Sequence, residues 1–355
     1  MLEIKDEYNV IGVMSGTSVD GIDLCYATYC YKLSAWSFSI NYCETIKYQS
    51  KWIDLLSNAH RLSAFDLNNL DFKYTNLLAE VINSFISKNK IEKIDFISSH
   101  GHTVFHDPEN KKTFQIGNRI ELMGITNIPV VCNFRKQDVI LGGQGAPLVP
   151  VGDLLLFSDY DYCINLGGFS NISVRSRKKI IAYDICPLNI VLNHYSKTIG
   201  LNYDKDGKLA ALGKINNCLF SKLNNLSYYK NKYPKSLGLE YVENKIFPLI
   251  DSYNLSVKDI LRTYVEHISF QIDKNIINHK SNILFSGGGV KNKFLIKRLS
   301  KKIKNSFQIK DYKIIDFKEA LIFGFLGVLR VRNEVNCLKS VTGASKDHSS
   351  GLIFK

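Results

Sequence analysis

The chain has 355 residues, of which 45% are hydrophobic and 22% charged, with 23 Gly and only 7 Pro. This composition excludes disordered, collagen-like and mucin-like chains, and the length predicts two domains that each bury a core. The 46 Lys and Arg outnumber the 33 Asp and Glu, so the net charge is +13. A positive net charge attracts acidic ligands in general.

We expect neither a nucleic-acid nor a membrane partner, because the basic residues are spread along the chain. The densest basic run, residues 291–313, contains Phe294, Leu295 and Leu299 at helical spacing, which predicts a solvated helix face. No apolar stretch approaches the roughly 20 residues that cross a bilayer. The eight cysteines form no C-x-x-C pair, and the N-terminus lacks a signal-peptide pattern. These features predict a cytoplasmic protein without a zinc ribbon or a redox motif.

The first half of the chain predicts a meander of three strands, then two helices and a fourth strand. Apolar periodicity places the strands at residues 9–14, 22–29, 37–46 and 95–99, and the helices at residues 52–61 and 67–88.

The second half repeats this order. It predicts strands at residues 161–166, 170–175, 179–183, 282–285 and near Ile309, a long helix after the cap residue Ser256, and helices at residues 292–304 and 317–332. The repeat predicts an α/β fold of two βββαβ halves, with a cleft between them.

Three glycine-containing segments at strand ends are candidate phosphate sites. Glycine lets a phosphate approach the backbone, the hydroxyls of the first segment add donors, and Asp20 or Asp23 would hold Mg²⁺. Ordinary turns are the alternative for each segment alone. No P-loop or G-x-G-x-x-G pattern is present. The segments comprise Gly16, Thr17, Ser18, Val19, Asp20, Gly21, Ile22 and Asp23; Gly167 and Gly168; and Gly287, Gly288 and Gly289.

Two polar groups are candidates for other chemistry. Asp184 ends a predicted strand just before a helix, where a carboxylate would serve as the base of a kinase or merely cap the helix. His100, His102 and His106 with Asp107 suggest a metal site, but substrate hydrogen bonding or loop structure is the favoured interpretation, because no distant partner is evident.

Seven segments then identify a family. They are residues 13–23, 99–101, 114–117, 133–138, 142–150, 165–171 and 340–345. In this order they closely resemble the anhydro-N-acetylmuramic acid kinases, nearly from end to end.

The resemblance implies the actin, hexokinase and Hsp70-type ATPase fold, with two RNase H-like lobes. We assign residues 1–132 and 334–355 to the first lobe and residues 133–333 to the second. The resemblance also implies a homodimer that uses ATP and Mg²⁺. Water would open the 1,6-anhydro ring of the amino sugar while ATP phosphorylates O6, giving N-acetylmuramate 6-phosphate in peptidoglycan recycling.

The resemblance also implies roles for individual residues. Asp184 matches the catalytic base, and Glu319 and Arg135 match the sugar and transition-state end. The three glycine segments match the ATP-binding loops, with Asp20 as the candidate metal ligand. Substrate contacts are implied for His100, Gly101, Arg135 and Asn189.

The chain departs from the family pattern at two places. The usual Asp-Thr-Gly-Pro-Gly-Asn is here residues 184–189, where Cys186 and Leu188 replace glycines that pass close to substrate or phosphate. His102 replaces a glutamine, which adds a titratable ring. Two alternatives therefore stay open: a sugar kinase of other specificity, and a non-catalytic sensor that binds ATP or muropeptide fragments.

Overall fold

The computed structural model describes residues 2–16, 18–176, 179–233, 235–278 and 280–355. Contacts divide the chain into two compact units. Unit 1 comprises Met1–Leu156 and Phe317–Lys355, and unit 2 comprises Phe157–Asp316. Within each unit a mixed sheet is packed against helices.

Strands and helices follow one another along both units. The strands are β1 (Glu7–Ser15), β2 (Gly21–Lys32), β3 (Ala35–Lys47), β4 (Phe96–Asp107), β5 (Lys112–Ile116), β6 (Val130–Cys132), β7 (Tyr162–Leu166), β8 (Phe169–Ser176), β9 (Lys179–Pro187), β10 (Ile283–Ser286), β11 (Phe307–Ile309) and β12 (Leu352–Phe354). The helices are α1 (Ser50–Ser57), α2 (Ala64–Asn89), α3 (Glu121–Thr126), α4 (Lys136–Ile140), α5 (Pro150–Leu156), α6 (Asn189–Lys197), α7 (Lys208–Leu212), α8 (Asn217–Asn224), α9 (Leu239–Tyr241), α10 (Phe247–Asp251), α11 (Val257–Asn275), α12 (Lys293–Lys302), α13 (Tyr312–Val331) and α14 (Lys339–Thr342).

The two sheets share one strand order. In unit 1 the order is β12-β6-β4-β1-β2-β3, with β5 paired to β4, and in unit 2 it is β11-β10-β7-β8-β9. In each unit the first three strands are antiparallel, and the next two are parallel to the first. This repeated order confirms the predicted duplicated βββαβ fold of two RNase H-like halves.

Apolar periodicity explains the long helices. In α2 the buried positions recur every three or four residues, and the Ser63 side chain caps the helix by accepting the Asp66 N–H. In α11 the same role is taken by Ser256, which accepts the Asp259 N–H. In α12, Leu295 and Leu299 are buried, as predicted for a helix that turns one apolar face to the core. The basic run at residues 291–313 therefore contains the predicted amphipathic helix.

The division between the units differs from the predicted boundaries, because residues 133–156 and 317–333 lie in unit 1. The C-terminal part of α13 packs on the first sheet. A Cβ on Gly12 would collide with the Ala320 carbonyl oxygen, so only glycine allows this approach. Ser98 Oγ donates to the Phe323 carbonyl at 2.5 Å, which fixes the helix on β4.

Three element bounds also differ from the sequence prediction. Strand β4 continues through His100 and His102 to Asp107, because Gly101 adopts a φ of 75° and lets the strand bend without ending. Strand β9 extends to Pro187, and α13 begins at Tyr312 rather than at residue 317. Among the described residues, no helix has both the length and the apolar composition that crossing a bilayer demands.

Candidate active site

The turn between β1 and β2 forms the first predicted phosphate segment. The Val19 N–H donates to the Gly16 carbonyl at 3.3 Å, and Val19 has a φ of 53°. A β-branched residue in this left-handed region costs on the order of 1–3 kcal/mol, and such strain concentrates at functional sites. Thr17 lies outside the described residues.

Of the two aspartates in this segment, Asp20 is the better placed for a cation. Asp20 is exposed, and its Oδ1 accepts a hydrogen bond from Ser18 Oγ at 2.8 Å. Asp23 is half-buried in β2, and its Oδ1 accepts from Thr45 Oγ1 at 2.5 Å. Exposed carboxylate oxygens suit a hard divalent cation, so Asp20 fits the predicted metal role.

The last part of the segment, Gly21 and Ile22, has a structural explanation. A Cβ on Gly21 would stand 2.7 Å from the Ile46 carbonyl oxygen, so glycine permits the pairing of β2 with β3. Ile22 is buried in the core of unit 1. Of the described residues in this segment, Gly16 and residues 18–20 are therefore the part that is available to a ligand.

The turn between β7 and β8 in unit 2 is Gly167-Gly168. Asn189 Nδ2 donates to the Gly167 carbonyl at 2.8 Å and to the Leu166 carbonyl at 3.1 Å, and the Leu188 N–H donates to the Gly168 carbonyl at 2.8 Å. A Cβ on Gly168 would meet no atom within 4 Å, so this turn has a bare, open face. Asn189, predicted to contact substrate, thus uses its amide nitrogen to hold the turn.

Gly287, Gly288 and Gly289 lie beside this turn. Gly287 has a φ of 84°, and a Cβ there would collide with Asn165. A Cβ on Gly289 would stand 2.8 Å from the Leu166 carbonyl oxygen, whereas one on Gly288 would meet nothing within 4 Å. The two glycine turns therefore pack against each other, and each leaves one glycine open, as a phosphate-binding surface requires.

The side chains that replace the family's glycines within residues 184–189 do not face this surface. Ile185, Cys186 and Leu188 are completely buried within the hydrophobic core of unit 2. Leu188 packs beneath Gly289, because its Cδ2 would stand 3.2 Å from a Cβ there. These side chains support the turns from below, so they do not block the approach of a ligand to Gly168 or Gly288.

Asp184 lies at a β-bulge in β9. Asp184 pairs with Asn171 and Cys186 with Ser170, so Ile185 is the extra residue. The half-buried Asp184 carboxylate accepts the Leu237 N–H at 2.8 Å. The backbone carbonyl of Asp184 accepts a hydrogen bond from Tyr228 Oη at 2.6 Å. Burial raises the pKa of Asp184, and the Leu237 N–H partly opposes this shift. Helix α6 begins only at Asn189, so Asp184 is not its cap, and the predicted position just before a helix is wrong.

In unit 1, Arg135 is held by two hydrogen bonds. Its Nε donates to His100 Nε2 at 2.8 Å, and its Nη1 donates to the Gly145 carbonyl at 2.7 Å. His100 Nε2 is therefore an acceptor, so Nδ1 carries the proton and donates to the Gly101 carbonyl at 2.9 Å. Burial and the nearby Arg135 hold the pKa of His100 well below its usual range. Both His100 nitrogens are engaged within the protein, whereas Arg135 keeps further N–H donors.

Glu319 provides a carboxylate in the same unit. Its side chain is exposed, yet the protein around it reduces its hydration and raises its pKa, which Arg135 and Lys318 oppose. Burial lowers the pKa of Arg135 to about 10, and Glu319 opposes that shift. The two side chains are thus in electrostatic reach of each other. The sequence predicted Glu319 at the start of the last helix. It lies inside α13 instead, because the helix begins at Tyr312.

Sequence reasoning missed a buried polar chain behind the first turn. Ser15, the last residue of β1, contacts His102 Nδ1 at 3.0 Å and Tyr48 Oη at 2.7 Å, and Tyr48 Oη contacts Tyr74 Oη at 2.7 Å. Burial lowers the pKa of His102 to about 4, so this ring is neutral near pH 7. No sequence pattern marks the two tyrosines, which lie far along the chain from Ser15.

The three histidines of the predicted metal cluster are engaged elsewhere. His100 bonds with Arg135 and His102 with Ser15, as described above. His106 Nδ1 bonds with Thr113 Oγ1 at 3.1 Å. Their different partners favour the structural interpretation over a shared metal ion.

Comparisons with known proteins identify the family of the chain. A family model described as anhydro-N-acetylmuramic acid kinase matches residues 8–355. The anhydro-N-acetylmuramic acid kinase of Sulfurovum sp. (strain NBC37-1) is 30% identical over 362 residues, which cover 99% of each chain. That of Mannheimia succiniciproducens is 33% identical and covers 97% of this chain and 98% of its own.

Solved structures align at lower similarity. The activator of 2-hydroxyisocaproyl-CoA dehydratase from Clostridium difficile is 12% identical, with a TM-score of 0.44, and covers 91% of this chain and 97% of its own. The sequence relatives and the family match decide the assignment. The chain belongs to the anhydro-N-acetylmuramic acid kinase family and is a sugar kinase.

Proposed function

We propose that this chain opens 1,6-anhydro-N-acetylmuramate with water and phosphorylates O6 at the expense of ATP, giving N-acetylmuramate 6-phosphate for peptidoglycan recycling. The observation that carries this proposal is the half-buried Asp184 carboxylate, whose burial raises its pKa, in a chain that matches the family along its whole length. A carboxylate of raised pKa is a stronger base than an exposed one.

Asp184 acts as the general base. It accepts a proton from the water that attacks the anomeric carbon, and the new C1–O bond forms as the C1–O6 bond breaks. The electron pair of that bond stays on O6, which attacks the γ-phosphorus, and ADP leaves. The Leu237 N–H at 2.8 Å holds Asp184 Oδ2, which leaves the other oxygen to accept the proton.

The open glycine turns bind the phosphates of ATP. Gly168 and Gly288 offer backbone N–H groups at positions where an added Cβ would meet no atom within 4 Å. The turn at residues 16–20 adds the Ser18 hydroxyl. Asp20 would hold Mg²⁺, which when bound neutralises charge on the phosphates.

Arg135 and Glu319 act at the sugar and transition-state end. Arg135 uses the guanidinium N–H groups that His100 and Gly145 leave unused, and these bind acceptor oxygens of the sugar or the transferred phosphoryl group. His100 and Gly101 position Arg135 by fixing the tautomer that accepts its Nε–H. Asn189 supports the phosphate turn. A homodimer and a cytoplasmic location remain predictions, to be tested by sedimentation and by cell fractionation.

The test is ADP release from MgATP by the purified chain with a panel of sugars. We expect strong stimulation by 1,6-anhydro-N-acetylmuramate and little by N-acetylmuramate, glucose or no sugar. Preference for another sugar would show a kinase of different specificity. Binding of ATP without ADP release for any sugar would identify a non-catalytic sensor.

A further inference from the structure

A buried group of potential metal ligands lies in unit 1, apart from the residues assigned to catalysis. Asp138, Cys337 and His348 each offer one ligand atom, and these atoms all lie within 4.8 Å of one another. Their relative exposures are 0%, 2% and 5%, so bulk water does not separate them.

The backbone places Cys337 and His348 side by side. They form an antiparallel bridge in which the Cys337 N–H donates to the His348 carbonyl at 3.0 Å and the His348 N–H donates to the Cys337 carbonyl at 3.1 Å. Residues directly opposite on such a ladder present their side chains to the same face. The thiol and the imidazole are therefore neighbours by construction.

The orientation of His348 points to a missing partner. Its Nδ1 contacts the Lys346 carbonyl at 3.1 Å, and a carbonyl can only accept, so Nδ1 carries the proton. In the neutral ring, Nε2 then bears a lone pair, and it lies 3.5 Å from Asp138 Oδ1 without a hydrogen-bond partner among the described residues. When the ring is neutral, two acceptors face each other at this point, and a bound cation would satisfy both.

The carboxylate is oriented in the manner typical of metal ligands. Asp138 Oδ2 accepts the Gly145 N–H at 2.7 Å, and Asp138 Oδ1 accepts the Thr342 hydroxyl at 2.8 Å. A Cβ on Gly143 would collide with Asp138 Oδ2, so this approach needs glycine. Outer hydrogen bonds of this kind, together with the Nδ1–carbonyl bond of His348, fix ligands around metal ions.

We propose that Asp138, Cys337 and His348 bind one Zn²⁺ ion, which fastens the C-terminal segment to the loop that carries Gly145. One nitrogen, one sulfur and one oxygen form a ligand set that Zn²⁺ accepts. The same loop accepts the Arg135 guanidinium through the Gly145 carbonyl. The ion thus stabilises the support of Arg135 and takes no part in the reaction itself.

The test uses the full chain after removal of metals with a chelator, titrated with Co²⁺ and then Zn²⁺. We expect one equivalent of Co²⁺ to bind, with a thiolate-to-cobalt charge-transfer band that Zn²⁺ displaces. Zn²⁺ should raise the thermal midpoint, and the chelator should lower it again.

Variants assign the ligands. Cys337→Ser and His348→Gln should each weaken binding at least about 100-fold, because loss of even an outer partner costs about 10–100-fold. Cys132→Ser, at a buried cysteine of the same unit outside the group, should bind as the wild type does. Circular dichroism of each metal-free variant checks folding.

Three results would overturn the proposal: no binding of Co²⁺ or Zn²⁺ to the folded wild type, binding without a thiolate band, or a band that persists in Cys337→Ser. None of these measurements depends on turnover. The site can therefore fail while the proposed kinase reaction holds, and the reaction can fail while the site holds.

Discussion

The two units share a strand order, but their first hairpin turns differ in what they offer a ligand. In unit 1 the turn covers residues 16–20 and carries the Ser18 hydroxyl and the Asp20 carboxylate. In unit 2 the turn is only Gly167-Gly168, so it offers backbone alone, and Asn189 holds it from behind. Under the proposed function, one duplicated topology thus supplies a turn that holds a cation in unit 1 and a turn that binds an anion in unit 2.

The supports of the two turns differ as well. The turn of unit 1 follows Ser15, which belongs to a buried chain of hydrogen bonds with His102 and Tyr48. The turn of unit 2 is held by Asn189, and the glycine segment beside it rests on apolar packing, in which Leu166 and Leu188 lie against Gly289. We therefore expect the turn of unit 2 to be sensitive to core volume and the turn of unit 1 to be sensitive to charge and hydrogen bonding.

The largest expected effect comes from the packing beneath the turn of unit 2. Leu188→Ala should lower the free energy of unfolding of unit 2 by about 2–5 kcal/mol, because it leaves a cavity under Gly289. Urea denaturation measures this loss. Leu212→Ala, at a leucine of the same unit that is 70% exposed, should change stability by less than about 0.5 kcal/mol. Equal effects of the two substitutions would refute a supporting role of Leu188.

A second effect distinguishes the sugar end of unit 1 from the ATP-binding turns. Arg135→Lys should lower kcat/KM for the sugar on the order of 100-fold, because the single ammonium nitrogen of lysine cannot reproduce the separately placed Nε and Nη1 donors that reach His100 and Gly145. The KM for ATP should change little. The control is Arg330→Lys, because Arg330 is also half-buried in unit 1 and also donates to a glycine carbonyl, that of Gly351. A rise in the KM for ATP alone would place Arg135 at the wrong substrate.

A smaller effect sharpens the difference between the two turns. Asp20→Asn keeps an acceptor for Ser18 but removes the charge, so it should weaken productive MgATP binding about 10–100-fold. Steady-state kinetics at several Mg²⁺ concentrations measure the change, with the exposed Asp54→Asn of unit 1 as control. Excess Mg²⁺ should partly restore the rate. An unchanged dependence on Mg²⁺ would show that the turn of unit 1 also acts through its backbone alone.

The smallest effect concerns the pH dependence set by Asp184. Burial raises its pKa, so kcat/KM should fall on the acid side at a pH above the ordinary aspartate value of about 3.9. A raised pKa in the folded state means that the wild type loses stability as the pH rises from the unfolded-state pKa of about 3.9 to the folded-state pKa, and that the full cost applies at higher pH. Asp184→Asn should therefore be at least as stable as the wild type at neutral pH, and its advantage should shrink as the pH falls below the folded-state pKa and vanish below about pH 3.9. Thermal unfolding of both proteins at neutral pH and below about pH 3.9 measures whether this difference in stability has the expected sign.

The sequence predicted the order of strands and helices along the chain and the glycine turns, because both depend on local patterns. Strand periodicity marked β1 to β3 and β7 to β9, and glycine pairs marked the turns between them. The course of β4 through Gly101 was missed because a positive φ within a strand has no local signature beyond the glycine itself. The early start of α13 was also missed, although Asp311 caps the helix there by accepting the Ile314 N–H on its Oδ1 at 3.2 Å.

The side-chain site was less predictable, because its parts are brought together by tertiary contacts. Asp184, Arg135 and Glu319 came from resemblance to a family and not from spacing. The bonds that orient them involve Leu237 and Gly145, which are far from any motif of matching chemistry. The inward orientation of Cys186 and Leu188 depends on the bulge at Ile185, and no sequence pattern predicts the register shift of a bulge.

The most direct test of the central claim is the turnover of Asp184→Asn beside that of Asp161→Asn. Asp161 is also half-buried in unit 2, and its carboxylate also accepts one backbone N–H, that of Asn282 at 3.0 Å. We expect Asp184→Asn to lose at least about 1000-fold in kcat, within the range of general-base catalysis, while its affinity for ATP changes less than about threefold. Asp161→Asn should retain the wild-type kcat. Wild-type turnover by Asp184→Asn, or an equal loss in both variants, would contradict the assignment of Asp184 as the base.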